Sequence, residues 1–161
     1  MSAVISGFRT HNQLTCAIIT RMRTRAIVVC LLFSLPLLAE KKVIQPKDFP
    51  TGRPFSPGIL SGGTLYIAGQ TGQDLKTGKI SDNFEAEVKQ CLENIGLVLK
   101  EAHMGFENAV TVQVYLTDME LFPRMNAIYT TYFKEPRPAR TTVGVAKLVG
   151  TARIEITVTA R

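Results

Sequence analysis

Between Phe84 and Leu99 the apolar residues Phe84, Val88, Cys91, Leu92, Ile95, Val98 and Leu99 recur mostly at steps of three and four. That spacing gathers them on one side of a helix of about five turns and leaves the other side polar. A helix of this kind needs a second layer beneath its stripe, and the downstream sequence supplies one. Val110, Val112, Val114 and Leu116 alternate with Thr111, Gln113, Tyr115 and Thr117. Ile154, Ile156 and Val158 likewise alternate with Arg153, Glu155, Thr157 and Thr159. Alternation of period two describes strands buried on one face. The chain must therefore lay a helix on one face of a sheet.

The remaining elements follow from local signals. Ile59-Leu60 and Thr64 to Ala68 read as two strands joined by a tight turn at Ser61-Gly62-Gly63. Lys41 to Pro57 holds four of the eight prolines and reads as an extended lead-in. Asp82-Asn83-Phe84-Glu85 has capping-box spacing, which makes Asp82 the expected cap, and Gly105 is expected to end the helix in the left-handed conformation. Thr117 or Asp118 can cap a second helix running to about Phe133, with Pro123 confined to its first turn. Thr141 to Val145 and Arg153 to Thr159 read as closing strands. The predicted order is β-β-α-β-α-β-β, an α+β fold. Its two helices cover one sheet face, so the other stays open unless another subunit meets it, and a homo-oligomer is expected.

The N-terminal segment reads differently. Four of the 19 Lys and Arg residues (Arg9, Arg21, Arg23, Arg25) precede residue 40, and no acidic residue does. A basic run, Met22-Arg23-Thr24-Arg25, leads into a largely apolar stretch of 14 residues, Ala26 to Ala39. A bilayer-spanning helix needs about 20 apolar residues, so no stable membrane anchor is expected. The pattern fits a secretory signal peptide, which divides the chain into an extension over 1–39 and a domain over 40–161 and predicts export, to the periplasm in a bacterial cell. Without a working signal the protein would stay in the cytoplasm. The domain keeps 15 basic against 13 acidic residues, a net charge of +2, which does not describe a nucleic-acid surface. Aromatics are 7% with no Trp, which argues against a stacking platform for single strands as well.

Three cysteines and two histidines cannot build a disulfide scaffold or a Cys/His metal centre, and no Gly-Lys-Ser/Thr follows the glycines to make a phosphate loop. Cys91 lies on the helix stripe and reads as a core residue, and His103 as a helix-end residue. Two side chains stand out. Arg140 enters a strand behind Pro138, and its planar guanidinium suits a carboxylate. Glu155 sits mid-strand between Ile154 and Ile156, opposite the apolar face, where a carboxylate must be exposed, hydrogen-bonded or functional.

Arg53-Pro54-Phe55-Ser56, Leu65 to Gln70, Asn126-Ala127-Ile128-Tyr129, Pro138-Ala139-Arg140 and Ile154-Glu155-Ile156 together resemble the RidA (YjgF) family of imine and enamine deaminases. The resemblance spans about residues 53–161 and implies a chorismate-mutase-like trimer with a ligand cleft at each subunit interface. It also implies hydrolysis of 2-imino acids to 2-keto acids and ammonia, with no metal and no organic cofactor. Carried onto this sequence, it gives Arg140 the substrate carboxylate and Glu155 the attacking water. Gly69 and Asn126 fall at cleft-lining positions. Phe55, Ala68 and Thr142 stand where the typical enzyme has tyrosine, serine and cysteine, and the side chains of Phe55 and Ala68 donate no hydrogen bond. These changes keep open a second reading, a non-catalytic module that binds small carboxylates. RNA cleavage, a third activity attached to relatives, is disfavoured by the near-neutral domain.

Overall fold

The computed structural model describes residues 40–161. The predicted extension and signal peptide over 1–39 lie outside the described residues. Among the described residues no helix is long and apolar enough to cross a membrane.

The hairpin forms as expected. Strands β2 (Gly58–Ser61) and β3 (Thr64–Thr71) pair antiparallel across Gly62 and Gly63, whose φ values of 57° and 77° both lie in the left-handed region that a two-residue turn of this hand requires. The lead-in is not wholly irregular: Lys42–Ile44 forms a short strand, β1, against β2. Helix α1 (Phe84–Glu101) buries every residue of the predicted stripe. It starts one residue later than the capping-box reading implies, because Asn83 is the cap and its Oδ1 accepts the Ala86 N–H at 2.8 Å. It also stops earlier than Gly105. His103 takes the left-handed conformation at φ 58°, while Met104 N–H donates to the Leu99 carbonyl at 2.9 Å and His103 N–H to that of Lys100 at 2.9 Å. These two bonds are the Schellman pattern, and Gly105 is left extended.

Strand β4 (Ala109–Leu116) keeps the predicted alternation from Val112 onward. Val110 departs from it, being exposed where a bulge between Ala109 and Thr111 breaks the pairing with the last strand. Asp118 caps a single 3-10 turn, after which α2 (Phe122–Tyr132) carries Pro123 in its first turn. Strands β5 (Ala139–Gly144) and β6 (Ile154–Ala160) complete one six-stranded sheet in the order β1-β2-β3-β6-β4-β5. Only the β4–β5 pair is parallel.

The core lies between one sheet face and the helices. Leu65, Ile67, Val112, Val114, Leu116, Ile154 and Ile156 meet Phe84, Val88, Leu92, Ile95 and Leu99 of α1 and Met125 and Tyr129 of α2. Each fully buried aliphatic side chain contributes about 1.5–3 kcal/mol. The opposite face stays open, with Tyr66 and Val143 exposed and Tyr115 donating its hydroxyl to Gln113 at 2.8 Å. The α+β class and the placement of both helices on one face agree with the sequence reading.

Candidate functional site

Glu155 owes its position to two neighbours. On β6 it is flanked by fully buried Ile154 and Ile156, so its side chain emerges on the open face, level with Tyr115 of β4 and Thr71 of β3. On β3 the register jumps between Ile67, opposite Val158, and Gln70, opposite Ile156. Ala68 and Gly69 thus stand together against Thr157, a β-bulge of the kind that re-aims strands beside sites. The Glu155 carboxylate lies directly on Gly69, where a Cβ would fall 2.8 Å from Glu155 Cδ. Only glycine lets the carboxylate approach the backbone this closely.

Above this contact opens a cavity of about 430 Å³, within the range of small-molecule sites. Its walls are Arg53, Phe55, Ala68, Gly69, Thr71, Gln73, Val149 and Glu155. Four of the predicted residues, Phe55, Ala68, Gly69 and Glu155, are therefore brought together.

Arg140 is elsewhere. On the edge strand β5 it is level with buried Val112, so it points to the helix side of the sheet. There its guanidinium stacks 4.5 Å from the Tyr129 ring centroid and 5.6 Å from that of Phe122. Burial pushes the Tyr129 phenol up, and the nearby charges of Arg140 and Arg137 oppose that shift. Thr142 follows on the same side, level with Val114, and its Oγ1 is buried without a hydrogen-bond partner among the described residues. Asn126 lies on α2, partly buried, and its carbonyl accepts from the Thr130 hydroxyl at 3.2 Å. Within one chain, Arg140 and Glu155 occupy opposite faces of the sheet and do not meet.

Sequence reasoning overlooked the groups that hold Glu155 in place. Glu87 occupies the buried side of α1 with zero exposure. Its Oε1 accepts the Arg153 N–H at 2.7 Å, and its Oε2 accepts Arg153 Nε at 2.7 Å. Arg153 donates onward to the carbonyls of Ser81 at 2.7 Å and Asp82 at 3.1 Å. At Gly72 a Cβ would overlap the Glu87 backbone, so the end of β3 closes on the same point. Asn94, one helical face further along, donates to the carbonyls of Thr71 at 3.0 Å and Gln73 at 2.9 Å. Glu87 and Asn94 fall seven residues apart, close to two helical turns, and that spacing was the available signal. Cys91 is the core residue expected: fully buried, it donates its thiol to the Gln70 carbonyl at 3.0 Å. Burial, then the charges of Glu87 and Glu155, push that thiol far above its ordinary range, so it is no nucleophile.

The family model described as Endoribonuclease L-PSP matches residues 46–161. The chain belongs to this family, that of the RidA and YjgF proteins. A RutC family protein of Aquifex aeolicus is 41% identical to it over 123 residues, which are 74% of this chain and 98% of that protein. The human 2-iminobutanoate/2-iminopropanoate deaminase is 42% identical over 104 residues, 64% of this chain and 76% of the human protein. Among solved structures, the Rid family protein YyfA of Yersinia pestis superposes with a TM-score of 0.72 at 35% identity, covering 75% of this chain and 98% of YyfA. The match to Rid structures confirms the fold class read from the residues, and deaminases occur among the relatives.

Proposed function

We propose that this RidA-family protein hydrolyses 2-imino acids to 2-keto acids and ammonia, at sites completed by two copies of the chain. The observation that carries the reading is the cavity in which Glu155 lies against the bulge at Gly69. A carboxylate there accepts a hydrogen bond from water and aims the oxygen at a carbon held over the backbone. Arg140, on the edge strand and facing away from that cavity, serves the site of a neighbouring copy in a homotrimer, where its fork grips the substrate carboxylate. Water adds to the imine carbon and one of its protons passes to the nitrogen; as the C–N bond breaks, the second proton follows, so the oxygen stays as the keto group and the nitrogen leaves as ammonia with both protons of the water. The open sheet face with Tyr66 and Val143 is the surface that the neighbouring copy covers.

One observation favours a second reading. Phe55, Ala68 and Val149 make much of the cavity wall apolar, so a module that binds small carboxylates without turnover fits the same walls.

The test is hydrolysis of a freshly generated 2-imino acid by the full chain. Acceleration that is lost in both Arg140→Ala and Glu155→Gln supports the deaminase. Mixing the two variants should restore roughly a quarter of the sites, since a shared site needs one intact contributor from each copy. An oligomer that binds a 2-keto acid without accelerating hydrolysis would establish the binding module instead.

A further inference from the structure

The cavity contains a charge that the reaction just described does not use. Gly52, at φ 78°, turns the chain in a way that favours glycine, and Pro54 restricts the preceding Arg53 to extended backbone. Between these constraints Arg53 is fixed as part of the cavity wall that also holds Glu155 and Gly69. Its guanidinium lies 5.7 Å from the Phe55 ring centroid, which props it without neutralising it. None of the ion pairs among the described residues includes Arg53. A partly buried arginine with no carboxylate partner, in the wall of a ligand-sized cavity, is a recognition group awaiting an anion.

Resting on the deaminase reading, we infer that Arg53 sets substrate preference and that the favoured substrate is a 2-imino acid with a second carboxylate on its side chain. The charges match. The completed site presents two guanidinium groups, Arg53 and the neighbouring copy's Arg140 position, and one carboxylate, Glu155. A dicarboxylic 2-imino acid presents two carboxylates and one iminium. Glu155 faces the iminium end, Arg140 holds the carboxylate next to it, and Arg53 takes the distal one. A monocarboxylic substrate leaves Arg53 with no anion. Because Phe55 carries no hydroxyl, it offers the guanidinium a ring face and does not compete for the ligand's oxygens.

Binding of stable 2-keto acids tests this independently of turnover. Calorimetry on the full-length protein compares 2-oxoglutarate, with two carboxylates, and 2-oxobutanoate, with one. The wild type is expected to bind the dicarboxylate at least about tenfold more tightly, the range of one charge-assisted hydrogen-bond pair. Arg53→Ala should reduce that ratio to about two or less, and Arg53→Lys should retain part of it. In the hydrolysis assay, imines generated from aspartate and alanine should show the same loss of discrimination as a ratio of kcat/KM values. Equal affinities in the wild type, or an Arg53→Ala variant that weakens both ligands by the same factor, would overturn the inference. Absence of hydrolysis with the binding preference intact would refute the deaminase reading alone and leave Arg53 as the selector of a dicarboxylate-binding module.

Discussion

Neutralising Glu87 has a cost that can be worked from its contacts. In Glu87→Gln the amide oxygen can keep accepting the Arg153 N–H, but the amide NH2 then faces Arg153 Nε, donor against donor. One charge-assisted hydrogen bond is lost, worth about 1.5–3 kcal/mol. The Arg153 side chain is 32% exposed and keeps its bonds to the Ser81 and Asp82 carbonyls, so water recovers part of the loss. The expectation is about 2 kcal/mol of destabilisation for Glu87→Gln. For Glu87→Ala it is about 4–5 kcal/mol, because the backbone donors lose their acceptor and a void remains. Glu87→Gln/Arg153→Gln restores a neutral amide pair and should recover about 1 kcal/mol relative to the sum of the single variants. Urea unfolding followed by far-ultraviolet circular dichroism suits a chain without Trp, at one protomer concentration throughout because assembly couples to stability. A Glu87→Gln variant within about 0.5 kcal/mol of wild type, or single variants that add with no coupling, would refute the reasoning.

Three other outcomes follow from individual contacts. Gly69→Ala should push the Glu155 carboxylate off the bulge and lower imine hydrolysis about 100-fold, as a displacement near 1 Å does at a reacting centre, while thermal unfolding shifts little. His103→Gly should stabilise the fold by about 0.5–1 kcal/mol, seen as a higher melting temperature, since the left-handed turn at φ 58° strains histidine and not glycine. Hydrogen bonds from the Arg124 guanidinium, then the backbone N–H at Glu85, hold the Glu85 carboxyl down from its ordinary 4.5 to about 2. The stability it contributes is therefore complete above pH 4.5 and lost as pH falls through 4.5 towards 2, so Glu85→Gln should flatten the acid limb of a stability profile.

What the sequence showed and what it hid divide along physical lines. Periodicity reports burial, so α1, the alternation of β6 and the open sheet face were legible before any coordinates. Caps and bulges hide because several residues in a row can serve. Asp82 and Asn83 are both good acceptors, and only the path of the chain decides for Asn83. His103 supplants Gly105 because the Schellman bonds form wherever the last turn closes, even with an unfavourable residue there. Val110 looks like part of the alternation until the bulge turns it outward. Arg140 and Glu155 both read as functional, yet nothing in one chain's spacing tells that they lie on opposite faces. That depends on the register of β5 along β4, a parallel pairing joined through α2. The cavity's Gln73 and Val149 gave no signal, since they come from loops brought in by pairing far from their own positions.

Register also explains why a buried ion pair sits at the start of β6. Ile154, Ile156 and Val158 fix only which face of the strand is buried; a slip of one residue would turn Glu155 into the core. A slip of two would keep the apolar set inside, and would bring Arg153 or Thr157 to Gly69 in place of Glu155. Hydrophobic burial barely opposes that error, whereas Glu87 opposes it strongly. It accepts from the backbone N–H and the Nε of one residue, Arg153, and from the N–H of Ile154 at 3.4 Å, so it marks an absolute position along β6. A buried ion pair adds little net stability over an apolar pair of similar size, but an apolar pair carries no such mark and leaves the Arg153 N–H without an acceptor. Amide hydrogen exchange separates the two roles. Glu87→Ala should release the Arg153 and Ile154 amides to fast exchange while Ile156, paired between β3 and β4, stays protected. Uniform loss across β6 would mean that Glu87 supports the fold as a whole; loss confined to the strand's first residues would mean that it sets the register that delivers Glu155 to Gly69.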